Sequence, residues 1–406
     1  MTPDFCAADS PAKRLALAER QLAAFATDEP TIHAFAHADP EAARARLRQA
    51  LEQHPDDPLG GALLGVKDII TTRDFPTKFG SPFPENDGPR QDAWCVGEAQ
   101  RLGAAILGKT VSTEFAFALP GPTVNPRDHA RTPGGSSSGS AAAVAAGFVS
   151  FALGTQTGGS TIRPASFCGV TGYKPSYGLL HTEGVQAIST TLDHLGIFAL
   201  SPRDAWLFTS ALLAHPEVLA PQPPRRLLLL RTPPEIPLEA PYRGLLDSLP
   251  TTLGSIEAAD LPFPSEDFAH LQEILCYWEA ARILLAPNRM RLAEGLVAQL
   301  QPYLDMDLAE YVAARRRRAA YQAEFDALAS GYDAILVPAA TGVAPPTLAH
   351  TGDAIMSRFW TALGVPCVTV PIWRSDEGLP LGLQLIGRLG ADRALMALAQ
   401  WLLERA

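Results

Sequence analysis

Short apolar runs, spaced between helical patterns, constrain this chain more than any other feature. "ALLGVKDII" (Ala62–Ile70), "AAILGKT" (Ala104–Thr110), "SFALGTQTGGS" (Ser150–Ser160), "AILVPAA" (Ala334–Ala340) and "PCVTVPIW" (Pro366–Trp373) are nearly continuous in apolar or small residues. Runs this short and unbroken fit strands covered on both faces. Between them, Ser10–Thr27 and Pro40–His54 begin at a cap or proline and repeat apolar residues at helical spacing. "AAAVAAGF" (Ala141–Phe148) and the closing "ADRALMALAQWLLERA" also read as helices. Strands alternating with helices predict an α/β protein with a mostly buried central sheet. Region 202–265, with "PQPPRRLLLLRTPPEIPLEAP", reads as a peripheral subregion; no internal repeat or long linker divides the chain.

A length of 406 residues suffices for a large core. The net charge of −10 argues against nucleic acid or an anionic membrane as the main partner. The one basic run, Arg315–Arg318, reads as the solvated face of a helix. No stretch approaches the ~18 uncharged apolar residues needed to span a bilayer. "MTPDFCAADS" has no basic region followed by an apolar one, which predicts no secretory signal and a cytoplasmic location. The five cysteines are scattered, form no metal spacing and suit a reducing compartment.

Only five of the 33 basic residues are lysines: Lys13, Lys67, Lys78, Lys109 and Lys174. A lysine inside an apolar run is therefore worth a chemical reading. Lys67 interrupts the presumed strand Ala62–Ile70. It could snorkel or pair with Asp68; it could also be a base, if burial lowered its pKa by roughly 2–3 units from the usual ~10.4.

Two motif matches mislead. Gly103–Thr110, "GAAILGKT", satisfies the P-loop expression, but its Ala-Ala-Ile-Leu looks like a strand rather than a phosphate-cradling turn. Gly135–Gly139 satisfies G-x-S-x-G around Ser137, yet a polar loop, "HARTPGG", precedes it where a nucleophile elbow needs a strand. His194, beside Asp193, is the most loop-like candidate partner and reads as structural.

Gly154–Arg163, "GTQTGGSTIR", is a different kind of turn. Successive small residues can aim their N–H groups at one point and form an oxyanion hole, with Ser160 beside it; a plain glycine turn is the alternative. A serine nucleophile needs a neighbouring base, and a neutral lysine can serve.

Taken together, Lys67, the Gly134–Gly147 loop "GGSSSGSAAAVAAG" and "GTQTGGS" followed by "RPASFCGVTGYKPSYG" resemble the amidase signature family. "GVKDII", "GKTVSTEFAF", "LDHLGIFALSPRD", "ILVPAATGVAPP" and "FWTALGVPCVTVPIW…GLPLGLQLIGR" extend the resemblance over nearly the whole chain. It implies a single large α/β/α domain, 1–406, with a central mixed, twisted sheet covered by helices on both faces. Within it, 1–56 would be N-terminal helices, 60–200 the catalytic core, 202–330 a peripheral and mostly helical subregion, and 331–406 a return to the core sheet. It implies a Ser–cis-Ser–Lys triad: Ser160 as nucleophile, Ser136 as bridging serine after a cis bond from Gly135, and Lys67 as base. Thr157, Gly158, Gly159 and Ser160 would supply the oxyanion hole, with Ser137 and Thr155 in support. No metal or cofactor is implied. Gln156 and Ser138 depart from the pattern, standing where many relatives carry Asp and Gly.

Arg163, three residues past Ser160, could grip a substrate carboxylate or hold the loop. The wording "GGSTIRPASFCG" and the length resemble small bacterial amidases of the malonamidase type. The expectation is therefore an amidase acting on a small carboxylate-bearing amide, with neither nucleic acid nor membrane as partner and with homodimers as a possible assembly. The alternatives are the glutaminase subunit of a tRNA-dependent amidotransferase and a catalytically silent binding protein of the same fold.

Overall fold

The computed structural model describes residues 4–117, 119–253, 256–286 and 290–405. The first part of the chain runs α1 (Pro11–Ile32), β1 (Phe35–Ala38), α2 (Pro40–Gln53), β2 (Leu63–Lys67), α3 (Trp94–Arg101) and β3 (Ala105–Thr110). Then come α4 (Ser138–Ala145), β4 (Phe151–Gln156), α5 (Ile162–Cys168), β5 (Thr171–Lys174), β6 (His194–Ala199) and α6 (Pro202–Leu212). The third quarter holds β7 (Leu227–Arg231), α7 (Ala240–Leu253), β8 (Ile256–Asp260), α8 (Ser265–Leu284), α9 (Glu294–Leu304) and α10 (Leu308–Ala329). The chain ends with β9 (Ala334–Pro338), α11 (Ile355–Leu363), β10 (Cys367–Arg374), β11 (Pro380–Ile386) and α12 (Asp392–Leu403).

Among the described residues, eleven strands join one mixed sheet in the order β1-β3-β2-β4-β6-β5-β10-β11-β9-β7-β8. Every residue of β2, β3, β4, β6, β9 and β11 is buried. Side chains alternate between faces along a strand, so unbroken burial means that both faces are covered. Helices α4 and α5 pack on the central strands, and α6 and α12 pack together against β5, β6 and β10. All of "GAAILGKT" but its first two residues is strand β3, as its composition indicates, rather than a phosphate loop. Region 202–330 is mostly helical but also feeds β7 and β8 into the sheet beside β9. Among the described residues, no helix is long and apolar enough to cross a membrane.

Two pairings position the site. β2 and β4 lie side by side and parallel, with Leu64 opposite Phe151 and Val66 opposite Leu153. Their carboxyl ends therefore deliver Lys67 and Thr155 to the same edge, where ligands gather in sheets of this kind. The start of α4 is tied to that edge: Ser140 Oγ lies 2.7 Å from Thr110 Oγ1 and donates to Leu153 O at 2.9 Å.

Candidate active site

Lys67 is the last residue of β2 and is wholly buried. Its Nζ lies 2.7 Å from Ser136 Oγ and 2.8 Å from Thr155 Oγ1. Burial pushes its pKa well below the usual 10.5, while Asp193 opposes the shift by attracting the protonated form. A neutral amine can accept a proton, and this one faces a hydroxyl rather than a carboxylate.

Ser136 ends the loop ahead of α4, and its N–H donates to Ser160 Oγ at 3.2 Å. The expected cis bond before Ser136 is absent: no peptide bond among the described residues is cis. Instead Gly134 and Gly135 take φ of +84° and +63°, and this double left-handed step turns a trans chain onto Ser136. A Cβ on Gly135 would lie 2.8 Å from the Pro164 ring and 3.2 Å from Ser160 Cα. The two serine segments thus meet because that position lacks a side chain. Ser137 is buried, its Oγ 3.2 Å from both Thr155 O and Thr155 N. Fixed in this way, it braces the loop and is not free to attack. Ser138 is the first residue of α4, and its Oγ is buried without a partner.

The turn between β4 and α5 is held from three sides. Gln156, wholly buried, accepts the N–H of Thr161 at 2.8 Å and of Ile162 at 3.0 Å, and donates to Thr361 Oγ1 at 2.9 Å. Thr361 Oγ1 donates to Gly158 O at 2.6 Å, and Gln272 Nε2 to Thr157 O at 2.7 Å. Thr157 Oγ1 donates to Asp193 Oδ1 at 2.6 Å. Asp193 also accepts from the Ile188 and Ser189 N–H groups, and desolvation pushes its carboxyl up to about 6. Two carbonyls of the turn are thereby engaged, and successive small residues such as these can turn their N–H groups to one point.

Thr157, Gly158, Gly159, Ser160 and Ser136 line one cavity of about 160 Å³. Helix α8 adds Gln272, Cys276 and Tyr277 to its wall, and α11 adds Arg358. Arg163 also lines it, but its terminal nitrogens are engaged: one donates to Gly352 O and the other lies 3.4 Å from Thr351 Oγ1. Its Nε is buried without a partner, and burial lowers its pKa to about 10. His194 is buried too, its Nδ1 against Leu192 O and its Nε2 unpartnered, and desolvation drives its pKa far down. Sequence reasoning does not single out Arg358, Gln272 or Asp193. Each reaches the site from a distant segment, and none carries a local signal beyond residue type.

The fold, one mixed sheet, and the family match define an amide-hydrolysing enzyme. The chain belongs to the Amidase family, the amidase signature enzymes, whose profile matches residues 16–228 and 284–396. It is 31% identical to a glutamyl-tRNA(Gln) amidotransferase subunit of Prochlorococcus marinus (strain MIT 9303), covering 94% of this chain and 92% of that one. Among solved structures it resembles an amidase at 31% identity and a TM-score of 0.85, covering 97% of this chain and 96% of the other. The native peptide amidase from Stenotrophomonas maltophilia matches at 27% identity and a TM-score of 0.80, covering 97% and 93%. The stretch between the two matched segments, 229–283, contributes Gln272, Cys276 and Tyr277 to the cavity wall.

Proposed function

We propose that the chain hydrolyses the C–N bond of a small, carboxylate-bearing amide through an acyl-enzyme on Ser160, using Ser136 and Lys67 as its proton relay. One observation carries this reading. Lys67 Nζ, buried and favouring its neutral form, lies 2.7 Å from Ser136 Oγ, and the N–H of that serine meets Ser160 Oγ on the cavity wall.

In the first step Ser160 Oγ attacks the amide carbon. Its proton passes to Ser136 Oγ, and the Ser136 proton passes to Lys67 Nζ. The carbonyl oxygen becomes an oxyanion held by the N–H groups of Thr157, Gly158, Gly159 and Ser160; each such donor is worth roughly 10²–10³ in rate. As the C–N bond breaks, the proton returns from Lys67 through Ser136 to the leaving nitrogen, and ammonia or an amine departs. Water then attacks the acyl-enzyme by the same route. Thr155 holds Lys67, and Ser137 holds Thr155. Arg163 gives the wall fixed positive charge, which favours an acyl group bearing a carboxylate.

A second reading is favoured by the identity to the glutamyl-tRNA(Gln) amidotransferase relative over 94% of the chain. Glutamine is itself a carboxylate-bearing amide, so the same site would serve as the glutaminase of a larger assembly. A screen for ammonia release separates the two. The purified chain, given malonamate, succinamate, glutamine and neutral amides of equal size, should turn over a short acid amide fastest. Turnover of glutamine alone, rising when the other amidotransferase components are added, favours the second reading. Equal rates on acidic and neutral amides contradict the carboxylate preference.

A further inference from the structure

The cavity beside Ser160 is lined by two guanidinium groups, Arg163 and Arg358, and by no aspartate or glutamate among the described residues. That is an unusual local balance in a chain whose net charge is −10. Burial lowers the pKa of Arg163, Asp353 opposes that shift and Arg358 adds to it, so the two guanidinium groups lie within reach of each other and of that carboxylate. They are not equivalent, however. Arg163 is buried, and its terminal nitrogens hold the Thr351–Gly352 turn. The Arg358 side chain is 30% exposed; its Nη1 pairs with Glu273 at 3.6 Å and its Nη2 with Asp353 at 3.9 Å, ion pairs longer than a hydrogen bond. Both of those carboxylates already have partners: Glu273 accepts from the Tyr303 hydroxyl and Asp353 from the Ile355 N–H. The Arg358 fork is therefore held near the cavity by charge but not consumed by bonding. A planar guanidinium in that condition is suited to two-pronged capture of a carboxylate.

We propose that Arg358 makes the direct contact with the substrate's carboxylate and sets the preference for acidic acyl groups. Arg163 acts through the turn that it holds and is a positioning residue. Arg358 rises from α11, whose Ser357 and the preceding Ala354 flank Gly159, so carboxylate anchor and oxyanion turn are referenced to one helix. This inference rests on the amidase reading, and it moves the carboxylate contact from Arg163 to Arg358.

The test compares each of malonamate, succinamate and glutaramate with the neutral isostere in which a methyl ketone replaces the carboxylate. The readout is the ratio of kcat/KM within each pair. For the best-fitting length the intact enzyme should prefer the acid by about 50-fold, and R358Q should bring the ratio close to one. R358K should recover part of it, because the charge returns without the fork. R163Q, which removes charge from the wall but no direct contact, should depress both members of the pair and lower the ratio far less than R358Q does. Calorimetry with malonate and succinate, on the intact chain and on R358Q, gives the same comparison without turnover; binding should weaken by a similar factor. A ratio near one in the intact enzyme overturns the proposal, and so does an unchanged ratio in R358Q. A ratio abolished by R163Q but not by R358Q places the contact on Arg163. Fluorophosphonate labelling of Ser160 keeps the two claims apart. Labelling without acid preference removes only this inference. No labelling removes the amidase reading, and diacid binding then decides the role of Arg358.

Discussion

Lys67 Nζ and Ser136 Oγ lie 2.7 Å apart at the buried carboxyl end of β2. Desolvation there disfavours the charged amine, and Asp193 only partly offsets it. As pH falls through the folded-state pKa, Lys67 takes up a proton and can no longer accept one from Ser136. The pH profile of kcat/KM should thus show an acid limb set by this lysine, below the ordinary range for lysines. K67M should lose activity by about 10³-fold or more. Stability follows the same titration. Between the folded value and 10.5 the unfolded chain binds a proton that the folded chain does not, so stability rises with pH across that window. Urea unfolding of K67M should lack that part of the slope.

Asp193 provides a test of the electrostatics. It is the group that raises the pKa of Lys67 against burial. Asp193→Asn removes this attraction, lowers the lysine pKa further, and should move the acid limb of kcat/KM to lower pH. A limb that stays in place would separate Asp193 from the base.

Gln156 Oε1 accepts two N–H groups at the start of α5, and Nε2 reaches Thr361. Q156A leaves buried donors without partners, which should cost about 2–3 kcal/mol in urea unfolding. Because the same bonds shape the turn before Ser160, kcat should fall by more than KM rises. Loss of stability with intact kcat would mean that the turn keeps its form without Gln156.

Neighbouring glycines should respond unequally to alanine. A Cβ on Gly159 would lie 3.0 Å from Ala354 Cβ and 3.1 Å from Ser357 Cβ, whereas one on Gly158 meets nothing closer than Gln272 at 3.5 Å. G159A should therefore push the turn away from α11 and lower kcat by roughly tenfold more than G158A does. Steady-state kinetics on the two variants measures the difference.

Much of this architecture is legible in the residue pattern. β2, β3, β4, β9 and most of β10 fall inside the apolar runs that predict them, because strands buried on both faces need unbroken apolar stretches. Helix ends are less legible. α1 runs on to Ile32, past Pro30, a residue that ordinarily ends a helix, and Glu29 accepts the N–H groups of Ala34 and Phe35 just beyond the helix end. α4 begins at Ser138, ahead of the alanine run, where Ser-Gly-Ser reads locally as loop. Lys67, Ser136 and Ser160 are recognisable from short motifs, but the cavity wall is not. Gln272 and Arg358 lie far along the chain from the turn that they face, and only the fold unites them with it.

The most direct test of the account is the site of covalent capture by a fluorophosphonate, read by mass spectrometry of the digested protein. The account predicts a single adduct on Ser160, absent in S160A and slowed strongly in K67M. An adduct on Ser136 or Ser137, or labelling that survives S160A, would contradict it.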